Sequence, residues 1–179
     1  MFGEAEDMPL GINGVNPCLD KNGESHRTSR FELMNRHKMD TGNPVLVVRR
    51  GQPFRLKIYC DRPFDEEKDV ISFMLSVHPM NGERVSHGHG TVVHLPLQKE
   101  DDGVDEDESD WRAVLESAED EVLTVSIRPS AKASVSKWNL AIDTKMAGTD
   151  QVINANVSVD FYLLFNPWCE HDYVYLEGL

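Results

Sequence analysis

Apolar and polar side chains alternate one by one along much of this chain, which is the period of a strand with one buried face. In PFRLKIYC, Phe54, Leu56, Ile58 and Cys60 fall on one side while Arg55, Lys57 and Tyr59 fall on the other. The same alternation aligns Trp111, Ala113 and Leu115, then Leu123, Val125 and Ile127, then Trp138, Leu140 and Ile142. VSVDFYLLFN puts Val159, Phe161, Leu163 and Phe165 on one face and adds Tyr162 and Leu164 on the other, which predicts a central strand covered on both sides. HRTSRFEL, PVLVVRR, VISFMLSVH and TVVHLPL bring the total to about eight to nine strands, with turn signals between them such as Arg50-Gly51-Gln52-Pro53 and Asn81-Gly82. Helical periodicity is nearly absent. The pattern predicts an all-β fold, an immunoglobulin-like antiparallel β-sandwich.

The first 24 residues break this rhythm. They carry Gly, Pro, Asn and Asp at close intervals without an apolar period, so they read as a flexible arm outside the core. The expected organisation is an arm over 1–24, the sandwich over 25–166 and an exit segment over 167–179. A chain of 179 residues suffices for one domain with a substantial core. Its 40% hydrophobic and 27% charged content is ordinary globular usage.

Charge narrows the function. With 31 acidic against 18 basic residues the net charge is -13, which disfavours nucleic acid and anionic membrane surfaces as partners. No apolar run reaches the roughly 18 residues that a membrane span requires. The amino terminus is acidic where a secretory signal would be basic. Three scattered cysteines, Cys18, Cys60 and Cys169, make a poor disulfide framework. Reduced thiols in the cytoplasm are the simplest expectation, and export without a signal peptide would leave the same pattern.

Each candidate for chemistry has a plainer reading. The acidic run over 100–110 has eight carboxylates that could attract Ca²⁺, but it lacks the glycine and flanking helices of a helix-loop-helix calcium site and reads as a solvated loop. His78, His87, His89 and His94 could share Zn²⁺, yet no cysteine or carboxylate completes a tetrahedron and the adjoining glycines suggest a bend. Cys169-Glu170-His171-Asp172 sets a thiol beside an imidazole, whereas a cysteine nucleophile normally meets a base distant in sequence across a cleft. The sequon Asn156-Val157-Ser158 abuts a strand and reads as coincidence. Arg49-Arg50 could hold a phosphate, but a turn paired with local carboxylates suits so acidic a chain better. The chain is expected to contribute no catalytic, cofactor-binding or metal-binding residue.

VRRGQPF, DRPFDEEKD, KWNLAI and FYLLFNPWC followed by DYVYLEG occur in the order used by the amino-terminal domain of the animal transglutaminases, and the chain resembles that family over most of 25–179. FNPWC followed by DxVYL is the most specific part. The resemblance implies an immunoglobulin-like sandwich leading into a papain-like core, then two β-barrels. It also implies a Ca²⁺-dependent protein-glutamine γ-glutamyltransferase as parent protein, which acylates its cysteine with a glutamine, releases ammonia and passes the acyl group to a lysine amine. The family's nucleophile sits in a GQCWVF-type segment that does not occur here, so Cys169 inherits no catalytic role and no residue inherits a calcium role. The domain is then expected to orient the missing core and to offer surface to matrix or substrate proteins. Asn166, Pro167, Trp168 and Tyr173 are the expected docking residues. Trp168 would be the anchor, exposed or partly covered in this chain, because large aromatics bury much area at small entropic cost. The competing expectation is a free-standing immunoglobulin-like module that binds an extracellular protein.

Overall fold

The computed structural model describes residues 8–29, 46–78, 91–99 and 110–169. Nine strands and one helix occur among them. They are β1 (Ile12–Asn16), α1 (Leu19–His26), β2 (Leu46–Arg49), β3 (Phe54–Cys60), β4 (Asp69–Val77), β5 (Val92–Pro96), β6 (Arg112–Glu119), β7 (Val122–Arg128), β8 (Ser136–Met146) and β9 (Ile153–Leu164). One sheet has the order β1-β3-β7-β6 and the other β2-β9-β8-β4-β5. The predicted sandwich is present. One feature departs from a purely antiparallel one: β2 runs parallel to β9, pairing Leu46 with Phe161 and Arg49 with Leu164.

The core lies between the sheets and is filled by the alternating residues. Phe54, Leu56 and Ile58 of β3 face Phe73 and Leu75 of β4, Trp138, Leu140 and Ile142 of β8, and Phe161 and Leu163 of β9, all fully buried. Phe54 and Phe161 meet across the gap at 5.3 Å between ring centroids. The Trp138 indole is satisfied by donating Nε1–H to the Ser134 carbonyl at 2.9 Å. Each such large side chain contributes roughly 1.5–3 kcal/mol of burial. β9 lies inside its sheet, as the two-sided pattern predicts, with Tyr162 and Leu164 half-buried on the outer face. Phe165 is an exception: the strand ends at Leu164, and the ring is 39% exposed instead of continuing the core face.

The amino-terminal segment needs correction. Residues 8–24 do not lie outside the core, because Leu10 is buried within it and β1 pairs antiparallel with β3. Four hydrogen bonds fix the approach to β1. Arg62 Nη2 donates to the Met8 carbonyl, Thr144 Oγ1 to the Leu10 carbonyl, Gly11 N to Asp61 Oδ1, and Asp61 N to the Gly11 carbonyl. Arg62 is itself held by a bidentate pair with the buried Asp69 at 2.6 and 2.7 Å, within the DRPFDEEKD segment. Burial works to raise the Asp69 pKa, but the Arg62 hydrogen bonds and the Asp65 N–H outweigh it and the net direction is down.

His26 is correspondingly the last residue of α1 and not the start of a strand, while residues 30–33 of HRTSRFEL lie outside the described residues. The helix is polar and short, and tertiary bonds support it. Asn22 donates to the Pro17 and Arg55 carbonyls and accepts from Arg55 N. Arg27 ends the helix in the left-handed conformation, where the Arg27 and Thr28 N–H groups cap the Glu24 and Gly23 carbonyls. The Asn81-Gly82 turn also lies outside the described residues, as does all of the 100–110 run except Asp110.

Candidate docking site

The exit from β9 is held by the end of β2. Because the two strands are parallel, Arg49 and Arg50 arrive beside Leu164 and Phe165, and Arg50 N donates to the Leu164 carbonyl at 3.0 Å. Both arginine side chains turn inward and are buried. Arg49 donates to three carbonyls: Nε to His26 at 2.8 Å, Nη1 to Phe165 at 3.0 Å and Nη2 to Arg27 at 3.4 Å. Arg50 Nη1 donates to the Ala133 carbonyl at 2.6 Å. The expected pairing with local carboxylates is therefore corrected for Arg49, whose partners are main-chain oxygens at the ends of α1 and β9. Carbonyls with no helix or strand partner need donors, and a buried guanidinium supplies several in one plane. Burial, followed by the neighbouring Arg27 cation, lowers the Arg49 pKa.

His26 completes this support from below. Its Nδ1 accepts from Arg49 N at 2.9 Å while Nε2–H donates to the Pro53 carbonyl at 2.9 Å, a pairing that only the neutral ring can make. The ring is 1% exposed, and its pKa is lowered to about 4, chiefly by burial and with a further contribution from the Arg49 charge. Thr28 Oγ1 adds a bond to the Val47 carbonyl at 2.6 Å. The end of α1 is thus tied to β2 at three levels.

Upon this base sits the exit turn. Asn166 is 3% exposed, donating Nδ2 to the Arg50 carbonyl at 3.1 Å and accepting Trp168 N on Oδ1 at 3.0 Å. Its amide is used inside the turn on both ends. Pro167 is exposed. Trp168 is 58% exposed, as anticipated, and the guanidinium carbons of Arg27 and Arg49 stand 4.5 and 5.1 Å from its ring centroid. Tyr173 lies outside the described residues. Gly51 closes the back of the site at φ 75°, and a Cβ there would stand 2.7 Å from Cys169 Sγ.

The other candidates do not gather into a site. His78 Nε2 meets Asp160 Oδ1 at 3.1 Å, His94 is exposed on β5, and His87 and His89 lie outside the described residues. Among the described residues no three His, Cys, Asp or Glu side chains converge as a metal-binding group. The three cysteines are free thiols. Cys60 is buried, and its pKa is pushed up to about 11 by burial and then by the Asp61 and Asp69 charges, which makes it a poor nucleophile. Asn156 is exposed within β9. No helix among the described residues is long and apolar enough to cross a membrane. Sequence reasoning overlooked His26 and Arg27, since a histidine and an arginine in a polar stretch carry no pattern of their own. VRRGQPF did signal the β2 turn, without showing which way its arginines point.

Known proteins resemble this chain in sequence and fold. The sequence model of the transglutaminase family matches residues 13–145. Annulin of Schistocerca americana is 42% identical over 167 residues, covering 93% of this chain and 20% of annulin. Protein-glutamine gamma-glutamyltransferase K of Oryctolagus cuniculus is 29% identical over 167 residues, covering 93% of this chain and 18% of that protein. The crystal structure of red sea bream transglutaminase superimposes with a TM-score of 0.63 at 25% identity, covering 92% of this chain and 21% of that one. The chain spans about a fifth of the length of these relatives. A match over most of the sandwich, joined to the same fold in a solved relative, places this chain in the transglutaminase family as an amino-terminal domain.

Proposed function

We propose that this sandwich is the amino-terminal domain of a Ca²⁺-dependent protein-glutamine γ-glutamyltransferase, which it serves without catalysing anything itself. It orients the catalytic core by docking through the exit of β9, with Trp168 as anchor and Pro167 beside it, and it offers further surface to substrate proteins. One observation carries the reading: a large aromatic is 58% exposed on a turn that buried residues hold in place. A ring already oriented by two guanidiniums loses little freedom on binding, so its burial against a partner is retained as affinity. Tyr173 belongs to the same proposed surface.

The test uses the full-length product and follows incorporation of a primary amine into a glutamine-containing protein, with and without Ca²⁺. Incorporation should require Ca²⁺. Trp168→Ala should lower it and, in calorimetry, split the unfolding of sandwich and core into separate transitions. Wild-type activity and a single unchanged transition in that variant would remove the docking role. Binding of a matrix protein with no cross-linking under either condition would favour the free binding module instead.

A further inference from the structure

The chain contains three glutamines, Gln52, Gln98 and Gln151. Two are committed to the fold. Gln52 donates Nε2 to both the carbonyl and the hydroxyl of Ser25, at 2.8 and 3.1 Å. Gln98 has an exposed side chain, but its main chain is locked between the sheets, with N donating to the Ala113 carbonyl and O accepting from Leu115 N at 2.7 Å.

Gln151 is committed in neither way. It lies in the connection from β8 to β9, where residues 147–154 are exposed without interruption. Gly148 opens the connection at φ 80° with open space around it, and Thr149 N and Oγ1 close a turn onto the Met146 carbonyl. Beyond that turn, no hydrogen bond among the described residues involves Asp150, Gln151 or Val152. Val152 and Ile153, the next two residues, are large apolar side chains left in solvent.

We propose that Gln151 is a modification site, an acyl donor for the cross-linking chemistry attributed above to the parent protein. A cleft that acylates a cysteine must receive the glutamine side chain on a stretch of extended backbone, bound through main-chain hydrogen bonds and side-chain pockets. Only a segment with unused N–H and C=O groups and accessible side chains can enter without unfolding something first. Gln151 is the one glutamine of the three that meets this condition, and Val152 and Ile153 provide apolar side chains for the pockets. The cysteine thiolate would attack the Gln151 Cδ, the C–N bond would break, and ammonia would leave with the added proton. A primary amine would then attack the thioester, releasing the thiol and leaving an isopeptide bond, with no change of oxidation state. The product is this domain tethered through β8–β9 to a lysine of a neighbouring protein.

The proposal rests on the cross-linking reading, and its test supplies the enzyme separately so that the two fail independently. The full-length protein is incubated with a separately assayed active transglutaminase, Ca²⁺ and a fluorescent alkylamine, then digested and mapped by mass spectrometry. Label should appear on the peptide carrying Gln151, disappear from it in Gln151→Asn, and persist there in Gln52→Asn and Gln98→Asn. Label confined to Gln52 or Gln98 would overturn the site. So would an unlabelled Gln151 peptide in a tube where a control acceptor protein is labelled. Either result would leave the docking role of Trp168 untouched.

Discussion

The two halves of β9 share one strand and behave as different materials. From Val159 to Leu164 the inward residues are buried, and from Phe161 on the strand is flanked by β8 on one side and β2 on the other. From Ile153 to Ser158 its pairing among the described residues is with β8, across a bulge between Ala141 and Asp143, and its side chains are exposed or half-buried. The parallel strand makes the difference, because among the described residues β2 pairs with Phe161 to Leu164. An edge strand with unpaired main-chain groups is open to other chains, whereas a doubly paired one is rigid. The rigid half sets the exit turn, and the open half is entered from the connection that carries Gln151.

Truncating a side chain in each half should separate them most widely. Phe161→Ala removes a fully buried ring that packs on Phe54, and should cost about 3–5 kcal/mol in urea unfolding. Ile153→Ala, on the exposed half, should cost less than ~1 kcal/mol with the same m-value. Similar losses at both positions would mean that the amino-terminal half is as well supported as the other.

Acid should attack the rigid half through its base. The His26 pKa is lowered to about 4 in the fold, against 6.5 for the free ring. The unfolded chain therefore gains a proton first as pH falls. Stability associated with the neutral ring is fully present above pH 6.5, is lost progressively between 6.5 and 4, and falls by about 3 kcal/mol in all. His26→Gln keeps one donor and one acceptor without titrating. Its stability should therefore decline less steeply over that window than the wild type's, and parallel pH profiles would show that His26 does not titrate in this way.

Sequence reasoning reached the rigid half more readily than its supports. Alternation identified β3, β7, β8 and the carboxyl end of β9, because burial on one face of a pleated strand imposes its period on the residues. It failed where tertiary bonds replace the pattern. α1 is polar beyond its first residue, Leu19, and stands on Asn22, while Leu10 is a lone apolar residue between Pro9 and Gly11 that the bonds from Arg62 and Thr144 and the Gly11–Asp61 pair bring inside. Phe165 extended the alternation one step beyond the last paired residue. At the candidate site, Trp168 was visible as an aromatic after a strand. The inward turn of Arg49 was not, since a basic pair before glycine reads the same whether it faces carboxylates or carbonyls.

Gly51 tests whether the exit turn is fixed from behind. Its φ of 75° disfavours any side chain, and the added methyl would meet Cys169 Sγ at 2.7 Å. Gly51→Ala should therefore cost about 1–2 kcal/mol from backbone strain, with a steric contribution added to it. Only the steric part can be relieved. Combining Gly51→Ala with Cys169→Gly should recover that part, so the double variant should be more stable than the sum of the single changes predicts. Strict additivity would place Cys169 too far from Gly51 to brace it.

The smallest effect on the fold should come from the residue with the largest proposed effect on assembly. Trp168 is more than half exposed, and its contacts with Arg27 and Arg49 are cation–π contacts at a solvent-facing ring, worth about 0.5–1 kcal/mol. Arg49 keeps its three carbonyl partners when the ring is removed, and Asn166 keeps its bond to the Arg50 carbonyl. In the full-length protein, Trp168→Ala should therefore leave the urea midpoint of the sandwich within the shift expected from ~1 kcal/mol, even where docking is lost. A loss as large as that of Phe161→Ala would make Trp168 part of the rigid half's own support, and the exit turn would then have no side chain to spare for a partner.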